Sequence, residues 1–159
     1  MSTPGQPDQS TKKLSRSEAK WTPAVMSAGF TIMPNVFFER SQALGLEPLD
    51  ICIILVISSF WWDAVNKPRP SKKTIADMLG VNPRTIQRRI AALEHAGFIK
   101  REQRRTYRAG SKENLYHFEG LIAAATPYAL ELVRMRAIER AAKAARARRK
   151  GPAQLHVVK

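Results

Sequence analysis

The chain has 159 residues, 44% of them hydrophobic, which is enough for one domain with a core and short flanking segments. Lysine and arginine number 27 against 13 acids, and the net charge of +14 points to a polyanionic partner, either nucleic acid or an acidic membrane surface. The single cysteine, Cys52, excludes an intrachain disulfide, and His95, His117 and His156 are too scattered for a His/Cys metal site.

Residues 1–20, MSTPGQPDQSTKKLSRSEAK, are polar and lack aromatic residues, so disorder is expected there, with order beginning near Trp21. They also lack the apolar stretch of a signal peptide. GFTIMPNVFFE reads as an extended piece broken by Pro34, then a helical turn that Asn35 can cap. From Pro48 to Ala64 the spacing predicts a helix. Ile51, Ile54, Leu55, Ser58 and Trp62 share one face, while Ile53, Val56, Ile57, Phe60 and Trp61 make the remainder apolar. A helix apolar nearly all round is buried on more than one side, so this one is expected at the centre, partly covered by residues 21–45. Cys52 is expected as a small buried residue and Trp61 and Trp62 as core. The apolar run Ile51–Trp62 contains Ser58 and Ser59 and is shorter than the ~20 residues of a membrane span.

NKPRP breaks the chain. Ser71 can cap a helix to Leu79, with Ile75, Met78 and Leu79 inward, and Gly80 supplies the left-handed residue that ends it. Asn82 can cap the next helix, Pro83 occupies its first position, and Gly97 follows its expected end at Ala96. FIKREQ and NLYHF alternate as half-buried strands do, with the basic tip RRTYRAGSK between them. A long helix then follows, predicted to be capped by Thr126, with Pro127 next, and stopped by Gly151-Pro152. The expected organisation is therefore a tail at 1–20, a domain at 21–121, a basic helix at 122–150 and a flexible end at 151–159.

Two short helices around a three-residue glycine turn, followed by strand, basic hairpin and strand, have the order of a winged helix-turn-helix. The fold class expected is mainly α, with a small β-hairpin wing and a C-terminal helix. Charge follows the same division: net +1 over residues 1–70, +6 over 71–120 and +7 over 121–159. At 100° per residue, Ile86, Ile90 and Leu93 fall on one side of helix 83–96, while Arg84, Arg88 and His95 fall opposite with Ala91. A B-form major groove admits one α-helix; arginine reads guanine bidentately and glutamine reads adenine. Arg84, Thr85, Gln87 and Arg88 are therefore the expected base contacts. Ser71, Lys72 and Lys73, at a helix N-terminus, are expected on phosphates, as are Arg104, Arg105, Arg108 and Lys112 of the wing. Arg89, nearer the core edge, is assigned to a phosphate or to an acid within the domain. On the last helix, Tyr128–Ile138 is expected in protein contacts, including a homodimer. Arg140, Lys143, Arg146, Arg148, Arg149 and Lys150 are expected near DNA. GVNPRT lacks the lysine of a phosphate loop, and no catalytic set, metal, cofactor or small-molecule ligand is expected.

The segments KWTPAVMSAGFTIMPN, LGLEPLDICIILVISSFWWD, RPSKKTIADMLGVNPRTIQRRIAALEHAGFIKRE and NLYHFEGL resemble the bacterial winged helix-turn-helix domains of mobile-element regulators and of phage and plasmid replication proteins. The resemblance spans about residues 20–121. It implies DNA binding, with Ser71–Leu79 as the positioning helix, Pro83–Ala96 as the reader and Arg104–Lys112 as the wing. The basic, alanine-rich tail from Arg134 lies outside the family pattern. The leading expectation is a sequence-specific regulator of transcription on double-stranded DNA, cytoplasmic and nucleoid-associated. The alternatives are a plasmid or phage replication initiation or accessory protein, and a nonspecific architectural or adaptor protein.

Overall fold

A computed structural model describes residues 15–106 and 110–149, with the backbone alone at 104–106, 110–113 and 149. The chain divides into two units, residues up to Ile32 and residues from Met33. In the first, α1 (Arg16–Trp21) starts at a capping box: the Ser15 hydroxyl accepts from the Glu18 N–H, and Glu18 accepts from the Ser15 N–H at 2.7 Å. Residues 16–20, expected to be disordered, are thus helical, because Ser15 and Glu18 satisfy the free donors of the first turn. Thr22, at φ +73°, turns the chain into α2 (Pro23–Ser27). Neither helix contains a buried residue.

The second unit begins with α3 (Val36–Glu39). Asn35 precedes it as expected but makes no side-chain cap. Helix α4 (Pro48–Ser59) runs through the core, burying Ile53, Ile54, Val56 and Ile57. Phe37, Leu44 and Leu46 join the same cluster. The helix is five residues shorter at its C-terminus than the apolar pattern predicts. Ser59 Oγ donates back to the Val56 carbonyl at 2.7 Å, and Asp63 accepts from the Val65 and Asn66 N–H groups and the Asn66 amide. Such local side-chain bonds compete with helix propagation. Trp62 consequently lies in a loop, 80% exposed, while Trp61 packs on Phe118 with ring centroids 5.8 Å apart. Cys52 and Leu55 are exposed as well, so the expectations of a buried cysteine, a core tryptophan pair and an apolar face through Leu55 and Trp62 are all corrected.

Helices α5 (Lys72–Leu79) and α6 (Pro83–His95) follow the sequence signals closely. Ser71 Oγ accepts from the Thr74 N–H at 3.0 Å, Gly80 is left-handed at φ +63°, and Asn82 Oδ1 accepts from the Arg84 N–H at 2.8 Å. Ile75 and Ala76 are buried on α5, whereas Met78, expected inward, is exposed. On α6, Ile86, Ile90 and Leu93 are buried, as the 3.6-residue period requires.

Strands β1 (Lys100–Thr106) and β2 (Gly110–His117) form an antiparallel hairpin. It is longer than the two short strands predicted, so Arg104, Arg105 and Lys112 belong to strands rather than to the tip. The Tyr116 N–H donates to the Pro68 carbonyl at 2.9 Å, tying the NKPRP segment to the wing. This is the winged helix-turn-helix that the sequence predicts.

The last helix, α7, departs most from expectation. It is continuous from Glu119 to Arg149 and carries Pro127 inside it. Thr126 does not cap it; its hydroxyl donates to the Ile122 carbonyl at 2.7 Å. An internal proline removes the donor to the carbonyl four residues earlier, here that of exposed Ala123. Burial of Leu121 and Ala125 on the core holds the helix through this defect. Its entry is tight: a Cβ on Gly120 would lie 1.8 Å from the Gly97 carbonyl oxygen. Leu121 N–H donates to the Phe98 carbonyl at 3.0 Å.

Gly120→Ala therefore forces α7 away from the turn after α6. The expected destabilisation is about 1–3 kcal/mol, the usual range for overpacking, measured as a lower urea midpoint. An unchanged midpoint would show that α7 does not need this close approach.

Candidate nucleic-acid interface

The chemistry of α6 divides by face. The buried isoleucines turn Arg84, Gln87, Arg88 and Ala91 to solvent, with Thr85 half-buried on the flank. Together with Asn82, these residues line one shallow concavity. Among the described residues, neither Arg84 nor Arg88 has a hydrogen-bond or ion-pair partner through its guanidinium. His95 is exposed at the far end of the helix. The structure thus brings the four sequence-predicted base-reading residues to one surface.

Residues expected on phosphates are less uniform. The Ser71 hydroxyl accepts the Thr74 N–H and shares a hydrogen bond with Thr74 Oγ1 at 2.8 Å, so its main work is capping. Lys72 Nζ donates to Gln87 Oε1 at 3.2 Å, drawing the outward face of α6 and the start of α5 into one surface. Lys73 pairs with Asp77 one turn along at 2.7 Å, with both side chains largely exposed. In the hairpin register Arg104 lies opposite Lys112 and Arg105 opposite Ser111. Arg108 lies outside the described residues.

Arg89 requires a correction: of its two expected roles, the structure places it on acids of its own domain rather than at a DNA phosphate. Its Nε donates to Asp50 Oδ1 at 2.8 Å, its Nη2 bonds Asp50 Oδ2, and its Nη1 meets Glu47 Oε1 at 2.9 Å. Hydrogen bonding to Asp50, ahead of the opposing effect of burial, raises the Arg89 pKa above an already high ordinary value. The physical reason is position. Arg89 adjoins Ile90 on the edge of the buried stripe, where an unpaired charge would be costly and Asp50 of α4 stands within reach.

Four further residues were not singled out by pattern and nevertheless frame the site. Asp50 and Glu47 hold Arg89. At the other end of α6, Glu94 Oε2 accepts from Arg101 Nε at 2.9 Å and Oε1 from the Arg101 backbone N–H at 3.2 Å. This joins α6 to β1 of the wing. The available signals were the two acids just before the apolar run 51–62, and the lone acid on α6.

Helix α7 divides as well. Arg136 bonds Glu39 at 2.6 Å, Arg40 meets Glu131 at 3.4 Å, and Tyr128 Oη donates to the Ala43 carbonyl at 3.4 Å. Its first half therefore packs on α3 and the following turn of its own chain. Leu130, Val133 and Ile138 remain exposed, as do Arg140, Lys143, Arg146 and Arg148. The side chain of Arg149 and all of Lys150 lie outside the described residues. Also among the described residues, no group of three His, Cys, Asp or Glu could hold a metal ion, and no helix is long and apolar enough to cross a membrane.

Comparison with known proteins agrees with this geometry. Residues 44–99 match the family described as helix-turn-helix domain. The chain is similar to the crystal structure of the N-terminal domain of DnaD protein from Geobacillus kaustophilus, with a TM-score of 0.50 and 16% identity over 78% of this chain and 97% of that one. At that identity the likeness concerns fold. No curated protein matches the sequence.

The Glu94–Arg101 link has a pH signature. The Arg101 side chain foremost, then its backbone N–H, holds the Glu94 carboxyl below its ordinary pKa against the opposing effect of burial. A depressed folded-state pKa gives stability that is present above the ordinary glutamate range and lost as pH falls through the folded value. Glu94→Gln is expected to be less stable than the parent at neutral pH, with a shallower loss on acidification through that window. Denaturant midpoints from pH 7 downward test this; parallel curves would show that the pair contributes nothing to stability.

Proposed function

We propose, from the helix-turn-helix match over residues 44–99 and the winged fold around it, that this chain is a sequence-specific, double-stranded DNA-binding protein that regulates transcription. The observation that carries this reading is the outward face of α6, where Arg84 and Arg88 stand exposed and, among the described residues, without acid partners, while the opposite face is buried. A helix held in this way can enter a major groove with its N-terminal half first. Arg84 and Arg88 are the proposed bidentate readers, with Thr85 and Gln87 beside them. Lys72, Lys73 and the first turn of α5 are proposed to take phosphates on one flank, where free backbone N–H groups favour an anion. Ser71 serves that flank as its cap.

On the other flank the wing carries Arg104, Arg105, Arg108 and Lys112. Like charges directly opposite in a hairpin, as Arg104 and Lys112 are, destabilise it unless an anion lies between them. A DNA backbone would supply that anion. The exposed cations Arg140, Lys143, Arg146 and Arg148 on the second half of α7, with Arg149 and Lys150, are proposed to reach flanking phosphates. The exposed Leu130, Val133 and Ile138 are available to a second copy, which would place two reader helices on paired half-sites.

Selection of bound fragments from genomic DNA, followed by salt titration on the selected and random duplexes, tests the reading. A regulator should prefer its site by about 10³ or more. Enrichment of clustered repeats would instead favour a replication role, and no enrichment an architectural one. On the selected site, Arg88→Ala should cost about 1–3 kcal/mol and relax preference at one base pair while leaving the fold intact. Equal weakening on random DNA would reduce Arg88 to a phosphate contact. Truncation after Ile138 keeps the packed half of α7. It should make the salt dependence shallower by about 0.9 for every phosphate that the removed cations had neutralised, with base preference retained.

A further inference from the structure

Asp50 is the sole buried charged side chain among the described residues, 2% exposed. It sits in the first turn of the most apolar helix of the fold. Both its oxygens are engaged, Oδ1 by Arg89 Nε and Oδ2 by Arg89 Nη2 and the Glu47 backbone N–H at 2.9 Å. Arg89 neighbours Arg88 in sequence yet points the other way, into the domain, and its remaining terminal nitrogen meets Glu47.

The apolar stripe of α6 does not by itself fix the helix. Hydrophobic burial is non-directional, so Ile86, Ile90 and Leu93 decide which face of the helix is buried but define its exact roll less sharply than a directional bond does. A guanidinium paired side-on with a carboxylate has a preferred plane and two fixed bond directions. The lever is considerable: a 20° roll of a helix about 5–6 Å in radius displaces its outer surface by about 2 Å, enough to break a base-edge hydrogen bond. Resting on the DNA-reading role proposed for α6, we infer that Asp50 and Arg89 are positioning residues for sequence readout. Their paired fork sets the roll and height of the reader helix, and so aims Arg84 and Arg88, without touching DNA.

The test separates aiming from holding the fold together. The double variant Asp50→Leu/Arg89→Met replaces the pair with apolar side chains and leaves the net charge unchanged. Buried ion pairs exchanged for well-packed apolar residues commonly leave stability equal or higher. The expected result is a folded protein with an unchanged or raised melting temperature, the same affinity for random DNA and the same salt slope. Preference for the selected site should fall by roughly tenfold or more, about the worth of one good base contact. Full preference in the double variant would overturn the proposal, as would a shallower salt slope in Arg89→Met, which would return Arg89 to a phosphate. A measurement without DNA decides the same point even if the parent protein prefers no site. Spin labels on exposed Cys52 of α4 and on Ala92→Cys of α6 report the distance between the two helices. The inference requires a shifted or broader distance distribution in the double variant, and an unchanged distribution would sink it independently of the DNA-binding reading.

Discussion

Burial of one side of α6 against α4 is the constraint on which the rest of this domain depends. Ile86, Ile90 and Leu93 are withdrawn from water into the same cluster as Ile53 and Ile57. Each such side chain contributes about 1.5–3 kcal/mol relative to exposure, so together they outweigh anything the surface charges of α6 could add. Once that side is buried, the positions half a turn away have no choice but to face solvent. The exposure of the arginines there follows from the core, and the outward surface of α6 is the complement of the hydrophobic one.

Polar contacts then supply the direction that apolar packing lacks. Arg89 joins α6 to α4, Arg101 joins the wing to α6, and Arg136 joins α7 to α3. In each case an arginine from a later element reaches an acid of an earlier or adjoining one. The few acids of a strongly basic chain are thus largely spent inside the domain. That leaves the excess positive charge on α6, the wing and the projecting half of α7, where it can meet a polyanion. Pairing does not alter the net charge of +14, but it decides which cations are left to display it.

Helix α7 shows how far tertiary context overrides local rules. Thr126-Pro127 has the form of a helix start, and read locally the chain should break before it. Leu121 and Ala125 are one turn apart and both buried, with Tyr128 on the same side, so a continuous helix gains more from the core than Pro127 costs it at an exposed carbonyl. Past Arg136 the helix is exposed at every described side chain, and there its composition becomes alanine and arginine.

The helix-turn-helix itself was legible residue by residue. Ser71, Gly80, Asn82 and Pro83 act within two to four positions of where they stand, and the period of Ile86, Ile90 and Leu93 is a property of the helix alone. The two strands were legible as elements, though not in length, because the ladder extends as long as its partner does. What the sequence could not decide is where a side chain finds its mate across space. Arg89 is a solvated cation or a buried fork depending on Asp50, 39 residues earlier. Trp62 and Cys52 looked like core because their neighbours are apolar, yet the early end of α4 and the phase of its packing left them outside. Capping, turns and periodicity are short-range physics and could be read from the chain. Burial and ion pairing are settled by which surfaces meet, and only the tertiary structure brought those surfaces together.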